Sequence, residues 1–349
     1  MFADEHDCRT SRTVHRCLVW MVVGFLATFI LVDRLIARVQ FPDTIYNTQS
    51  PARALADYEH QPGTADVVFL GCSYTAFGIN PDVVDAEAQR RGVAIRSFNL
   101  GYGGALTVAN TRLVELLLES DHLPKVIYYE LSPAMLNRRV PSLRYAVGQI
   151  GGWREAALLW RLSPNDRAIA VLSQTLAGYH QWNTIHKIVE CMREGAPIFR
   201  PKFARAASGY MTWTAGAADR DIRVSRKIED RDHYWGNYVV DDFALEAVFR
   251  LERMAAAHGI EVRYFEMPMS TAWQQVLRDD VRSGYAEALA KLRAGGCSAL
   301  WRCPSGLVDD SDYFDADHLL PSGAEKVSRA IAADVARCFG DDVVVSKLD

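Results

Sequence analysis

The sequence lacks a surplus of charge of either sign: 39 Lys+Arg stand against 43 Asp+Glu, for a formal net charge of −4 and a pI near 6.2. With no broad cationic field and no Lys/Arg run, nothing would draw a polyanion, and no nucleic-acid partner is expected. Zinc-finger spacing is missing as well. Cys297 and Cys303 flank a short Trp-Arg stretch but have no histidine at ligand spacing, so no metal is expected there. Whether they close a small disulfide loop or stay as two thiols is left open by the residues. No internal repeat or low-complexity tract occurs. Against these absences, 49% hydrophobic and 23% charged residues supply a sizeable core, which excludes disorder as the default.

A local absence is more informative. From Cys17 to Val32 there is no charged residue. At about 1.5 Å per residue this run spans roughly 24 Å, short of a ~30 Å hydrocarbon core, and Leu35 and Ile36 extend it past Asp33 and Arg34. Those charges can snorkel. Arg9, Arg12 and Arg16 precede the run, so the positive-inside tendency keeps residues 1–16 in the cytoplasm. Residues 17–37 are read as a signal anchor, and the large domain as extracytoplasmic, periplasmic or at the cell surface. A clean small-x-small site is absent after Val32, which disfavours the alternative of a cleaved signal peptide. A buried core helix is the remaining alternative.

Residues 38–64 are rich in Pro, Gln, Asn and Asp and read as a linker with a short helical piece around Arg53–Tyr58. Beyond it, strands are expected at Asp66–Leu70, Val93–Leu100 and Lys125–Leu131. Helices are expected between them, one opened by Asn80-Pro81 and one over Ala105–Ser120. That order implies right-handed crossovers and a parallel α/β sheet. From about 133 to 240 the pattern changes to helical stretches rich in Trp, Tyr, Arg and His without a clear buried strand, and is read as an insertion. The alternation resumes with a helix over Asp241–Ala257 and a strand at Ile260–Phe265. A long helix over Thr271–Ala294, a short strand near Ser298–Arg302 and a last helix over Ser322–Phe339 follow. Ser322 and Glu325 are spaced as a capping box for that helix. The α/β domain is placed at 65–340, with 341–349 as a tail.

Ser73 ends the first strand, where parallel sheets present side chains to a ligand crevice. The α/β-hydrolase elbow G-x-S-x-G is not met, because Thr75 stands at its second glycine. A Gly-x-Ser after a strand is also an ordinary turn, so a nucleophilic Ser73 needs a base and a group to orient it. Two D-x-x-H stretches qualify: Asp315-Ala316-Asp317-His318, leading into the last helix, and Asp230-Arg231-Asp232-His233, in the insertion. The first is favoured by its place on a loop of the sheet domain; Asp317 is read as a loop or cap residue.

The order F-L-G-C-S-Y-T, F-N-L-G-Y-G-G-A and Y-F-D-A-D-H-L-L-P-S-G-A resembles blocks I, II and V of the SGNH (GDSL-type) hydrolases, over roughly Asp66 to Phe339. The resemblance implies a three-layer, flavodoxin-like SGNH fold with Ser73 as nucleophile and Asp315 and His318 as its partners. It implies an oxyanion hole from the backbone N–H groups of Ser73 and Gly104, with Gly103 as alternative, and no cofactor. Two departures stand out. Cys72 replaces the usual aspartate before the serine, and is read as a buried structural thiol. The block III asparagine is missing, since Ser132 to Met135 supply no carboxamide and Asn137 lies too far along. Losing one such donor typically costs ~2.7–4 kcal/mol of transition-state stabilisation.

With the N-terminal anchor, S-Y-T-A-F-G-I-N-P and I-E-V-R-Y-F-E-M-P, the chain is similar to a membrane-tethered branch. That branch includes the D-alanine transfer protein of teichoic acid modification and exported proteins of polysaccharide O-acetylation. The implied function is a serine acyltransferase or esterase acting on acyl esters of an envelope glycan, beside a membrane-bound O-acyltransferase. A non-catalytic envelope accessory that keeps the fold, and a plain secreted esterase, are the rival expectations. Trp153, Trp160, Trp182, Trp213 and Trp235 in the insertion are candidates for stacking on sugar rings, against the commoner role of aromatics as core.

Overall fold

The structure is a computed structural model that describes residues 4–38, 50–138, 140–176, 179–195, 203–214, 219–236, 238–240, 242–297 and 300–345. Helix α1 (Asp4–Arg38) contains an apolar stretch, His15–Ile36, of mean hydropathy 2.0 and only 6% buried. A core helix would bury such a face, so that alternative is excluded; the helix is consistent with a signal anchor or a signal sequence. The linker helix is α2 (Pro51–His60), where the Ser50 hydroxyl accepts from the Arg53 N–H.

The chain then alternates β1 (Val67–Leu70), α3 (Ser73–Gly78), α4 (Pro81–Arg90), β2 (Ser97–Asn99), α5 (Thr107–Leu118) and β3 (Val126–Glu130). Asn80 caps α4 as its sequence predicts, its side chain accepting from the Asp82 N–H at 3.1 Å. After β3 come α6 (Pro133–Leu136), α7 (Val140–Gln149), α8 (Trp153–Leu162), α9 (Arg167–Thr175) and α10 (Tyr179–Glu194). Next are β4 (Phe203–Arg205), β5 (Met211–Trp213), α11 (Arg220–Glu229) and α12 (Arg231–Trp235). The chain closes with α13 (Asp242–Ala257), β6 (Glu261–Glu266), α14 (Thr271–Val276), α15 (Asp279–Ala294), β7 (Leu300–Arg302) and α16 (Pro321–Val345).

Five strands form one parallel sheet in the order β2-β1-β3-β6-β7, flanked by helices. Every residue of β1 and β3 is buried, as expected of apolar runs covered on both faces, and the burial extends to Glu130 at the end of β3. Successive residues of β3 point to opposite faces. The Tyr128 hydroxyl donates to Asp334 of α16 at 2.9 Å, while Tyr129 lies beside Thr107 and Asn110 of α5. Helices α4 and α16 pack together, as do α5 and α13. Phe69 in the middle of β1 meets Tyr128 and Phe265, and burying a side chain of this kind contributes about 1.5–3 kcal/mol.

Three expectations are corrected. The stretch Thr271–Ala294 is two helices, broken at Leu277-Arg278; the Arg282 guanidinium takes the carbonyls of Gln274 and Leu277 that the break leaves open. Ser322 and Glu325 do not form a capping box. The Ser322 hydroxyl donates to Asp312 at 2.8 Å and Glu325 pairs with Arg329, because the preceding loop folds back close enough to compete for the serine. The insertion holds an antiparallel ribbon, β4 with β5, whose Phe203 and Met211 are buried against Ala76 and Phe77. Three-residue strands are too short to show period-two alternation in sequence. Cys297 and Cys303 are two free thiols and close no disulfide loop.

Candidate active site

Gly71 turns the chain out of β1, and a methyl there would collide with the Thr75 hydroxyl and the Glu130 carboxyl. Ser73 is the first residue of α3, so its N–H has no intrahelical carbonyl to meet. The turn is held from below by Glu130, fully buried at the end of β3. Its carboxyl accepts from the N–H of Cys72 (2.9 Å) and of Thr75 (3.3 Å), the Thr75 hydroxyl (2.5 Å) and the Cys72 thiol (3.1 Å). Burial first, and then the Glu130 charge, push the Cys72 thiol well above its ordinary value, which keeps it protonated and structural.

The neighbouring loop runs beside this turn. Leu100 N–H donates to Phe69 O at 2.8 Å and Tyr102 N–H to Gly71 O at 3.4 Å. Gly104 follows Tyr102 by two residues, as Ser73 follows Gly71, with Gly103 between. Gly104 adopts φ 70, a left-handed conformation that glycine takes without strain. Asn99 ties this loop to α3: its Nδ2 donates to Thr75 O (2.8 Å) and Ile79 O (2.7 Å), and its Oδ1 accepts from the Gly101 N–H (2.8 Å).

The loop before α16 supplies the other groups. Asp315 Oδ1 accepts from the backbone N–H of Asp317 (3.1 Å) and of His318 (2.9 Å), a side-chain-closed turn that presents residues 315 and 318 on one side. His318 Nδ1 lies 2.8 Å from Asp315 Oδ2, and His318 Nε2 lies 2.8 Å from Ser73 Oγ. The imidazole sits against Tyr74, Phe77 and Trp213, with centroid separations of 5.8, 5.5 and 5.4 Å. Trp213 stacks on Phe314 at 3.8 Å. Ser73, Asp315 and His318 are thus brought together, and the site of the competing pair is elsewhere: Asp230 is exposed, and His233 is on α12 with its side chain outside the described residues.

Four participants have no local signal that identifies them. Lys227, on α11 of the insertion, has only 10% of its side chain exposed; its ammonium pairs with Asp317 and lies 3.5 Å from Asp315 and 3.3 Å from His318 Nδ1. Asp317 does sit on the loop, but as a buried carboxylate in an ion pair, and it also accepts from the Tyr74 hydroxyl at 2.8 Å. Trp213 arrives on β5 and Glu130 on β3. Helix α11 grips the same loop at two further points, Arg220 donating to Tyr313 O at 3.2 Å and Arg223 to Phe314 O at 2.9 Å. Residues 220, 223 and 227 share a helix face, so a basic stripe is legible in sequence, though its target is not. Asp315, Asp317 and His318 have metal-ligand atoms within 4.8 Å of one another, and the Lys227 ammonium already serves this cluster as its cation.

Of the remaining candidates, Asn137 is not at the site. Its Oδ1 accepts from the Val239 N–H at 3.1 Å and its backbone bridges to Val240, which closes the base of the insertion. Trp235 is fully buried, Trp153 and Trp160 are exposed, and the Trp182 side chain is outside the described residues.

Burial by itself would raise the Asp315 carboxyl. The charges of His318 and Lys227 and the hydrogen bonds it accepts outweigh that, and hold it well below the ordinary carboxylate range. A depressed folded value means stability present above the unfolded value of about 3.9 and lost as pH falls through the folded one. The stability difference between the wild type and Asp315→Asn, followed by urea unfolding, is therefore expected to be constant above about pH 5 and to shrink on further acidification.

A serine, a histidine and an aspartate in hydrogen-bonded series on the carboxyl edge of a parallel α/β sheet define an arrangement able to activate a hydroxyl for attack. No protein-family model matches the chain, and a search of curated proteins finds no match.

Proposed function

We propose that the protein is a membrane-anchored SGNH-type serine acyltransferase or esterase that passes an acyl group through an ester on Ser73. The observation that carries this reading is the 2.8 Å contact of His318 Nε2 with Ser73 Oγ while Nδ1 meets Asp315. In the proposed reaction His318 takes the Ser73 proton as Oγ attacks an ester carbonyl, and Asp315 fixes the imidazole tautomer. The Ser73 and Gly104 N–H groups receive the oxyanion, and His318 then protonates the departing alcohol. Attack by a second hydroxyl, assisted by His318, releases the acyl group. Asp315, held well below the ordinary carboxylate range, faces the positive charge that forms on His318 as it takes the proton, while Lys227 pairs with the neighbouring Asp317.

An envelope glycan as acceptor or substrate, and a membrane-bound O-acyltransferase as neighbour, are supported by the resemblance of the three sequence blocks and by the N-terminal apolar helix. The rival reading, a non-catalytic accessory, draws on the absent block III carboxamide. A fluorophosphonate probe separates them. Labelling of the full-length protein, located by peptide mapping at Ser73 and lost in Ser73→Ala, is the expected result; a folded wild type that takes no label rules out the enzyme.

A further inference from the structure

The anchor does not stand apart from the domain. Helix α1 packs against α10 of the insertion, Asp33 near its end is buried, and Arg34 lies in a cleft with the ends of α7 (Val147–Gln149) and α9 (Ser173–Leu176). Ile36 ends the apolar stretch. On the reading of α1 as a membrane span, the end of α9 therefore sits where the chain leaves the hydrocarbon.

The neighbouring face of α8 and α9 has an unusual makeup. Trp153 and Trp160, seven residues apart and so on one side of α8, are 66% and 43% exposed, and Val171 and Leu172 of α9 are exposed with them. Arg154, Arg161 and Arg167 are exposed too, Arg154 with a loose 3.7 Å contact to Glu115 of α5 and Arg161 over the Phe243 ring at 5.0 Å. The Arg167 guanidinium lies over the Trp160 ring at 5.3 Å, which joins the two helices' basic and aromatic groups into one surface. Between residues 150 and 176 the acids are Glu155 and Asp166, and both are buried. Glu155 accepts from the Gly152 N–H at 2.8 Å, and Asp166 takes Arg144 at 2.8 Å and Ser163 at 2.6 Å. The exposed charge of this stretch is wholly positive. Solvated helices ordinarily show mixed charge and few large apolar groups, whereas tryptophan with arginine suits the headgroup zone, where the ring and the charge meet their preferred surroundings together.

We infer that the α8–α9 face is a second membrane contact, which lies in the headgroup region of the leaflet that α1 leaves and prefers anionic lipid. Two attachments fix the tilt of the domain, which a single helix followed by a linker does not. The inference rests on the anchor reading of α1, and one experiment tests both separately. Full-length protein is placed in vesicles of phosphatidylcholine with or without phosphatidylglycerol, each made with brominated or ordinary acyl chains, and tryptophan emission is compared among wild type, Trp20→Phe and Trp20→Phe/Trp153→Phe/Trp160→Phe. Trp20 reports insertion of α1.

The expected result is that bromination still quenches Trp20→Phe, more strongly with phosphatidylglycerol present, and that this remaining quenching is lost in the triple variant. Arg154→Gln/Arg161→Gln/Arg167→Gln in the Trp20→Phe background should remove the phosphatidylglycerol excess. All these side chains are exposed, so unchanged unfolding midpoints are expected. Quenching that vanishes with Trp20→Phe in both lipids overturns the second contact and leaves the face to a protein partner. Equal quenching in the two lipids overturns the anionic preference. Absence of any Trp20-dependent quenching in wild type overturns the anchor itself.

Discussion

His318→Ala is expected to slow fluorophosphonate labelling of Ser73 by roughly 10²–10⁴-fold, the span general-base assistance usually supplies. Among the described residues the serine hydroxyl has one base within reach, His318 Nε2 at 2.8 Å, and Asp315 presents that nitrogen as an acceptor by taking the proton side of the ring at Nδ1. Removing the ring leaves Ser73 on its helix, since Glu130 and Asn99 hold the turn by bonds that do not involve His318. The variant should thus keep its fold and lose rate, which a time course of labelling beside a thermal melt would separate. A folded His318→Ala protein that labels at the wild-type rate would remove His318 from the mechanism.

Lys227→Met is expected to destabilise the protein by about 3–5 kcal/mol, the usual consequence of leaving one member of a buried ion pair without its partner. The residue left behind is Asp317, whose side chain is 1% exposed. Burial raises its carboxyl above the ordinary value, with the Asp315 charge adding to the rise, and Lys227 and His318 acting against it. Methionine keeps the stem of the lysine and removes the ammonium, so the loss reports charge rather than packing. In the Lys227→Met background, Asp317→Asn should restore part of the stability, because the unpaired charge goes with it; a double-mutant cycle by urea unfolding measures the coupling. Additive effects would show that the pair contributes nothing, and that α11 is held to the loop by Arg220, Arg223 and the packing of Val224 and Ile228 around Ala316.

Much of the scaffold was legible in the sequence. Asp66–Leu70 and Lys125–Leu131 are read as buried strands because their runs of apolar or aromatic residues, Val67–Leu70 and Val126–Tyr129, have no solvated face to offer, and both are buried in the sheet. The start of α4 follows from Asn80-Pro81, a cap decided within three residues. The stretch Thr271–Ala294 reads as one helix because no proline interrupts it, whereas burial of Trp273 among Trp235, Val281 and Ala316 accompanies a break at Leu277-Arg278. At Ser322 a local motif lost to Asp312, a partner ten residues away.

The candidate site divides in the same way. Sequence by itself determined the apolar N-terminal helix, the alternation of strands and helices, the serine at the end of β1, and the Asp315 and His318 pair. Each depends on neighbours within a turn or two, and the Asp315 turn closes on its own backbone. Only the tertiary structure decided that His318 meets Ser73, 245 residues away, and that Lys227 arrives 91 residues before the histidine it approaches. It also decided that Asp317 is buried in an ion pair, that Trp213 walls the imidazole, and that Asn137 closes the insertion. The physical reason is that a charge or a ring, even on a helix face as Lys227 is, carries in its local pattern no information about its partner. Its partner is set by where the insertion folds back over the carboxyl ends of the strands.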